Sequence, residues 1–311
     1  MTFRKLGDKG PTVSVAGVGC NTFGATLAPD GVPALVSAAL EAGVTFFDTA
    51  DAYGGAFGQS EELLGAALGA HRDEVVLATK FALGAPEGVA PGSRAYVRSA
   101  VEASLRRLGT DRIDLYQMHI PDALTPIEET LAALHELVTE GKVLSLGSSN
   151  FAAWQVVDAD WSARTAGATA FVSAQNRYNL LDRGAEAELV PALEQVGVGL
   201  IPFVPLASGL LTGKYRRDEG APDGSRLARW PDRLARADFD RIDALSALAQ
   251  EWGIDLPTLA LGGLAAQPAV ATVIAGARTP EQLRANVASI LWEPTLDQLA
   301  AIDDASPGPV G

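Results

Sequence analysis

An α/β chain closed as a (β/α)8 TIM barrel is the fold this sequence predicts, and three observations carry it. Short apolar runs alternate with longer amphipathic stretches along the whole 311 residues. Several of the runs show little of the in-out alternation of a half-wet strand, as expected of strands buried on both faces of a parallel sheet. No G-x-G-x-x-G follows the first run: Gly17-Val18-Gly19 leads into Cys20-Asn21-Thr22-Phe23, so the phosphate turn of an open dinucleotide-binding sheet is missing. Eight strand–helix units in a chain of this length fit one closed barrel, and residues 1–311 are expected to form a single domain.

The elements follow in order. Thr2–Leu6 is expected to pair with part of Pro11–Val15 as a hairpin across Gly7–Gly10, plugging the bottom of the barrel. The strand runs are Val13–Gly19, Val44–Phe47, Val75–Ala78, Ile113–Met118, Val143–Leu146, Ala170–Ala174, Gly199–Phe203 and Val270–Ile274. The clearest helical patterns are Pro33–Ala42, Ser60–Leu68, Ser93–Leu108, Pro126–Thr139 and Ala185–Gln195. Ser60 before Glu62, and Thr125 before Pro126 and Glu128, read as helix starts with a cap and early acids. About seventy residues separate Phe203 from Gly276, too many for one repeat. The long loop after strand seven, Ser208–Ala237, is rich in Gly, Pro and Arg and is expected to be a lid.

Composition narrows the function. The net charge is −14, which disfavours nucleic acid and anionic lipid as partners and requires a local basic site for any anionic ligand. No run of apolar residues is long enough to span a membrane. MTFRKLGDKG has no apolar stretch behind its charges, so no signal peptide is expected. The single cysteine, Cys20, excludes an internal disulfide and suits a cytoplasmic, reducing setting. One cysteine and three histidines leave few ligands, so no metal is expected.

In a parallel barrel the chemistry gathers at the C-terminal ends of the strands. The polar residues closing the runs are Asp48 after strand two, Lys80 after strand three, His119 after strand four, Ser148-Ser149-Asn150 after strand five and Gln175-Asn176 after strand six. Tyr53 follows Asp48 on the same loop. Each residue taken singly is as readily a helix cap or a hydrogen-bonded structural group. Their joint placement, in a chain with five lysines and three histidines, points to one mouth. There a tyrosine can protonate a developing alkoxide if its pKa falls from ~10 toward neutrality. Lys80 at ~4 Å supplies the ~4 kcal/mol this needs at an effective dielectric of ~20. Asp48 would fix Lys80, and His119 would orient the substrate carbonyl.

The sequence resembles the aldo-keto reductase family along essentially the whole chain. The motifs are Gly43-Val44-Thr45-Phe46-Phe47-Asp48-Thr49-Ala50-Asp51-Ala52-Tyr53-Gly54, Ser60-Glu61-Glu62-Leu63-Leu64-Gly65, Ser104-Leu105-Arg106-Arg107-Leu108-Gly109 leading through Asp114-Leu115-Tyr116 to His119, and Gln175-Asn176 before Arg177-Tyr178-Asn179. The family's catalytic tetrad falls on Asp48, Tyr53, Lys80 and His119. The resemblance implies hydride chemistry with a nicotinamide cofactor, NADPH, on a small-molecule carbonyl substrate.

It also implies a cofactor path. Ser149, Asn150 and Gln175 match the groups that bond the carboxamide, with Asp48, Cys20 and Asn21 lining the floor. Phe203 matches the aromatic residue stacked on the nicotinamide, in a segment continuing through Val204, Pro205 and Leu206. Ser208, Leu210, Lys214 and Arg226 match the part that closes over the pyrophosphate; Arg216, Arg217, Arg229 and Arg233 read as a solvated face. Arg278, Gln282 and Asn286 match the adenosine-phosphate segment, with Arg278 suited to a 2′-phosphate near a helix N-terminus. The chain departs from many relatives at Gly276 (Lys elsewhere), at Ala285 (Glu elsewhere), and at Asn21 and Ile120, where relatives often carry Trp. Two alternatives share these motifs: a cofactor-binding regulatory subunit, as in channel β subunits, and an alcohol dehydrogenase running in the oxidative direction. The sequence gives no oligomeric state.

Overall fold

The computed structural model describes residues 1–309, apart from the side chain of Arg226. Two short strands, β1 (Phe3–Lys5) and β2 (Thr12–Ser14), pair antiparallel as the expected hairpin. Eight parallel strands follow: β3 (Ala16–Gly19), β4 (Phe46–Asp48), β5 (Val76–Phe81), β6 (Ile113–Met118), β7 (Val143–Ser149), β8 (Phe171–Arg177), β9 (Gly199–Phe203) and β10 (Val273–Ala275). Each pairs with its sequence neighbour, and β10 returns to β3. The last gap closes through the Leu200–Val270 bridge, with Leu200 N donating to Ala269 O at 2.9 Å. The result is the (β/α)8 barrel the alternation of runs predicts.

Helices α1 (Val32–Glu41), α2 (Gln59–Leu68), α3 (Arg94–Leu108), α4 (Ile127–Thr139), α5 (Ala153–Ala166) and α6 (Leu189–Val196) cover the outside. In α4 the apolar spacing places Leu131, Leu134 and Leu137 on one buried face, each contributing about 1.5–3 kcal/mol. Helices α3, α5 and α6 stop at Gly109, Gly167 and Gly197, all in the left-handed conformation that closes a helix C-terminus. The long Phe203–Gly276 interval holds the short α7 (Pro231–Ala235), then α8 (Phe239–Glu251) and α9 (Leu256–Ala265). After β10 come α10 (Pro280–Ile290) and α11 (Leu296–Ala305).

Several strand ends shift by one to three residues from the sequence reading, and four assignments change. The run Val13–Gly19 is two elements, because the chain leaves the hairpin at Ser14 and enters the barrel at Ala16. The pattern Ala185–Gln195 is a 3-10 turn at Gly184–Glu186 followed by α6; Pro191 cannot donate in a helix begun at 185 and sits in the first turn of the later one. Ser60 does not cap α2. The cap is Gly58 at φ 79°, where a Cβ would fall 2.3 Å from Arg107 Cδ, and Ser60 is buried, donating to Cys20 O at 2.8 Å. Thr125 does not cap α4 either: Pro126 is the cap position, and Thr125 Oγ1 donates to Asp122 Oδ2.

The barrel interior is layered. Leu6 and Val13 of the hairpin join Phe46, Ala78, Leu115, Ile201 and Ile274 in one core cluster inside the strands. The hairpin seats tightly because residue 7 is glycine at φ +64°: a Cβ there would lie 2.5 Å from Val172 O. The bottom is therefore closed, and ligands have access from the other end.

Candidate active site

Side chains on one strand face recur every second residue. Phe46, Ala78, Leu115, Ile201 and Ile274 face the barrel interior, so the next inward positions toward the C-terminal mouth are Asp48, Lys80, Gln117, Phe203 and Gly276. The parity that fills the bottom with hydrocarbon thus fills the top with polar groups. His119 lies one further repeat beyond Gln117.

These groups meet. Lys80 Nζ donates to Asp48 Oδ2 at 2.6 Å, to Thr49 O at 2.9 Å and to Tyr53 Oη at 3.3 Å. Asp48 Oδ1 accepts from Gln117 Nε2 at 2.9 Å and Gln175 Nε2 at 2.8 Å. The carboxylate is therefore fully engaged, as a buried charge must be. Tyr53 and His119 pack edge to face with ring centroids 5.5 Å apart. Asn150 Nδ2 donates to His119 O at 3.0 Å and to Ser149 Oγ at 3.2 Å, tying the end of β7 to the histidine.

The protonation states follow from burial and neighbours. Burial works against charge on Lys80, but Asp48 and Tyr53 outweigh it and push its pKa up. Burial lowers His119 to about 3, helped by the Lys80 charge, so the imidazole is neutral through the ordinary pH range. Its Nδ1 is buried without a partner among the described residues. Tyr53 corrects the sequence reading. Desolvation raises its pKa, and the opposing pull of Lys80 does not overcome it. Burial of the phenol and the Asp48 carboxylate, itself 2.6 Å from Lys80, together offset the Lys80 charge. The phenol is held in its proton-donating form.

The residues matched to a cofactor path are unevenly placed. Ser149 is buried behind Asn150, and Phe203 is half-buried at the end of β9. Gln175 has its amide nitrogen committed to Asp48 and Gln117. Cys20 is fully buried in the core cluster around the barrel, and burial holds its thiol well above the usual range. Asn21 and Gly276 are both exposed just past β3 and β10, and the Asn21 Oδ1 would lie 3.4 Å from a Cβ at Gly276. Pro205 is buried, while Leu206, Ser208 and Leu210 are half-buried and Lys214 is exposed, its Nζ over the Tyr215 ring. Arg226 opens a 3-10 turn, and its side chain lies outside the described residues. Arg278 is exposed at the start of α10, capped by Thr279; its N–H donates to Gln282 Oε1, and Asn286 Nδ2 reaches Gly276 O. Arg284 instead pairs with Glu41 at 3.3 Å.

Backbone strain marks the same end. Ala82 (φ 94°), Asn150 (60°), Val204 (58°), Ala207 (50°) and Ser208 (60°) all adopt left-handed conformations just past strands β5, β7 and β9. Strain of this kind persists where the surroundings over-determine it, and it clusters at functional sites.

Sequence reasoning missed Gln117, which is wholly buried and shares Asp48. Its signal was a polar residue on the inward parity, two before His119. It also missed Asp51, in the loop that carries Tyr53, and Glu61, in the first turn of α2. Glu61 accepts from Arg107 Nε and Thr79 Oγ1 at 2.6 Å each, whereas Asp51 Oδ1 is buried without a partner.

A closed parallel barrel with a lysine, a carboxylate, a tyrosine and a neutral histidine at its mouth agrees with the family comparison. The chain belongs to the aldo/keto reductase family, whose model matches residues 16–307. It is 36% identical over 324 residues to "Uncharacterized oxidoreductase YrpG" of Bacillus subtilis, covering 100% of this chain and 98% of that protein. It is 34% identical over 325 residues to a "Probable voltage-gated potassium channel subunit beta" of Oryza sativa, covering 99% of this chain and 98% of that protein. It is 33% identical to "L-glyceraldehyde 3-phosphate reductase" of Escherichia coli strain K12, covering 93% and 88%. Its relatives include oxidoreductases, and among the described residues no helix is long and apolar enough to cross a membrane.

Proposed function

We propose that this chain is an NADPH-dependent reductase that converts an aldehyde or ketone to an alcohol, acting as a single domain in the cytoplasm. The observation that carries the reading is the Tyr53 hydroxyl held 3.3 Å from a fully buried Lys80 ammonium that Asp48 anchors. The mouth suits a nicotinamide dinucleotide: exposed backbone without a side chain at Gly276, amide and hydroxyl groups at Asn150 and Ser149, an aromatic face at Phe203, and a cation with no carboxylate partner among the described residues at Arg278, beside a helix N-terminus. A bound dihydronicotinamide supplies the hydride.

The protein's own groups handle the proton. Tyr53 Oη gives its proton to the carbonyl oxygen as negative charge develops there, and Lys80 stabilises the phenolate left behind. Asp48 holds Lys80 charged and in place. Neutral His119 directs a ring N–H at the carbonyl oxygen and fixes the substrate's orientation without competing as an acid. Ser149 and Asn150 orient the carboxamide, Phe203 supports the ring, and Ser208, Leu210 and Lys214 cover the pyrophosphate. Arg278 receives the 2′-phosphate.

Loss of NADPH absorbance with a panel of aldehydes and ketones tests the reading. The expected result is turnover with at least one small aldehyde, and faster turnover with NADPH than with NADH. A second reading, a cofactor-binding regulatory subunit, is favoured by the likeness to potassium channel β subunits. It expects tight NADPH binding with no turnover on any member of the panel.

A further inference from the structure

We propose that Arg177 selects carbonyl substrates that carry an anionic group, a carboxylate or a phosphate, by binding that group at the rim of the barrel mouth. The inference deepens the reductase reading and rests on it.

Arg177 is the last residue of β8. It stands two residues beyond Gln175, whose amide reaches Asp48 inside the barrel. The period of two puts both side chains on the same inward face, with Arg177 about 7 Å further out. In register it lies beside Phe203, and its guanidinium carbon sits 5.6 Å from the centre of that ring. The guanidinium makes no hydrogen bond among the described residues. Its nearest carboxylate is Asp182 at 3.8 Å, and both side chains of that pair are half exposed. Such a pair contributes little and yields readily to a better anion.

The guanidinium also borders a cavity of about 340 Å³ whose polar wall is Arg177, Arg233, Asn179, Ser208 and Asp182. Two guanidinium groups against one carboxylate leave this wall positive, on a protein whose net charge is −14. The general field repels an anionic substrate, so a local cation at the mouth decides whether one enters. A planar guanidinium with free N–H donors matches the two oxygens of a carboxylate or phosphate. It also lies one strand repeat, about 7 Å, beyond Gln175 of the polar network, a span that one small molecule carrying both a carbonyl and an anionic group can bridge.

A phosphate at this wall has a second source, the pyrophosphate of the cofactor, because Ser208 borders the cavity too. The experiment separates the two. Kinetics with NADPH are measured for para-carboxybenzaldehyde and for its uncharged methyl ester, on wild type, Arg177→Met and Arg177→Lys. NADPH affinity of each protein is measured by fluorescence. The inference expects wild type to prefer the carboxylate. It expects Arg177→Met to lose about ten- to a hundred-fold in kcat/KM for the carboxylate, the size of one charge-assisted hydrogen bond. The loss should fall mainly in KM. The ester should change less than about threefold, Arg177→Lys should recover part of the loss, and NADPH affinity should not move. An unchanged carboxylate preference in Arg177→Met overturns the inference. So does weakened NADPH binding with equal losses for both aldehydes, which assigns the guanidinium to the cofactor. If wild type turns over neither aldehyde, calorimetric binding of para-hydroxymethylbenzoate to the NADP-loaded protein decides. Weaker binding by Arg177→Met supports the anion site while the reductase reading fails; equal binding overturns both.

Discussion

Asp51→Asn should make the protein more stable, and increasingly so as pH rises. Asp51 sits in the loop that carries Tyr53. Its N–H donates to Lys80 O at 3.1 Å, and its carbonyl accepts from Gly58 N at 2.6 Å. The backbone is therefore pinned, and the side chain it holds is buried. Burial raises its pKa from 3.8 to about 7, with the nearby Glu61 carboxylate adding to the rise and Arg107, Ala52 N–H and Lys80 opposing it. The folded state thus prefers the neutral acid. The unfolded chain ionises first, so this group's stability is complete below about pH 4 and is lost progressively as pH rises to about 7. Over the whole window the loss is at most about 4 kcal/mol, at about 1.4 kcal/mol per pH unit. Between about pH 5.5 and about pH 8 it is about 2 kcal/mol. Equilibrium urea unfolding of wild type and Asp51→Asn at those two pH values reads the effect. The difference between the proteins should widen by about 2 kcal/mol toward alkaline pH, because the other titrating groups cancel in the comparison. A difference that stays constant with pH would mean that Asp51 is ionised throughout, and the account of its burial would be wrong.

Three further outcomes follow from the same geometry. Lys80→Met and Asp48→Asn should each destabilise by about 3–5 kcal/mol, since each strands one member of a buried pair; the double variant should lose clearly less than their sum in urea unfolding, and full additivity would contradict the coupling. The His119 ring should show constant NMR shifts from about pH 5 to about pH 8, because burial and Lys80 hold its pKa near about 3; a midpoint near the ordinary value of 6.5 would refute this. Arg278→Ala should raise the NADPH Kd by about ten- to a hundred-fold and leave the NADH Kd nearly unchanged, as one charge-assisted bond to a 2′-phosphate requires; equal losses would assign Arg278 to the fold or the adenine.

Much of the barrel was legible because parallel strands buried on both faces leave unbroken apolar runs. The polar residue that closes each run marks the mouth, and this found Asp48, Lys80 and His119. The runs did not say where one strand stops and the next begins. Val13–Gly19 reads as one segment although its first half belongs to the hairpin, since both halves are apolar and buried. Ser60 reads as a cap because local rules cannot see Cys20 O, forty residues away, waiting for its hydroxyl. The Ser208–Ala237 insert reads as a lid, while α8 and α9 take up much of the rest of the Phe203–Gly276 interval and pack with Leu180, Leu211 and Ile302. What remains between is a stretch anchored by its own small cluster, Tyr215, Leu227 and Leu234. Gln117 was hidden inside a strand run, where a polar residue looks like noise until the inward parity is known. The Tyr53 acidity was misjudged because a charge count from sequence carries no desolvation. Burial of the phenol beside an already paired lysine is a property of three dimensions only.

The central claim is that Tyr53 supplies the proton to a carbonyl reduced by NADPH. Single-turnover reduction of para-nitrobenzaldehyde by NADPH-loaded wild type and Tyr53→Phe tests it most directly, with NADPH affinity measured alongside. The phenylalanine variant is expected to bind NADPH as wild type does and to lose about a hundred- to ten-thousand-fold in the rate of reduction. A Tyr53→Phe protein that reduces the aldehyde at the wild-type rate would contradict it.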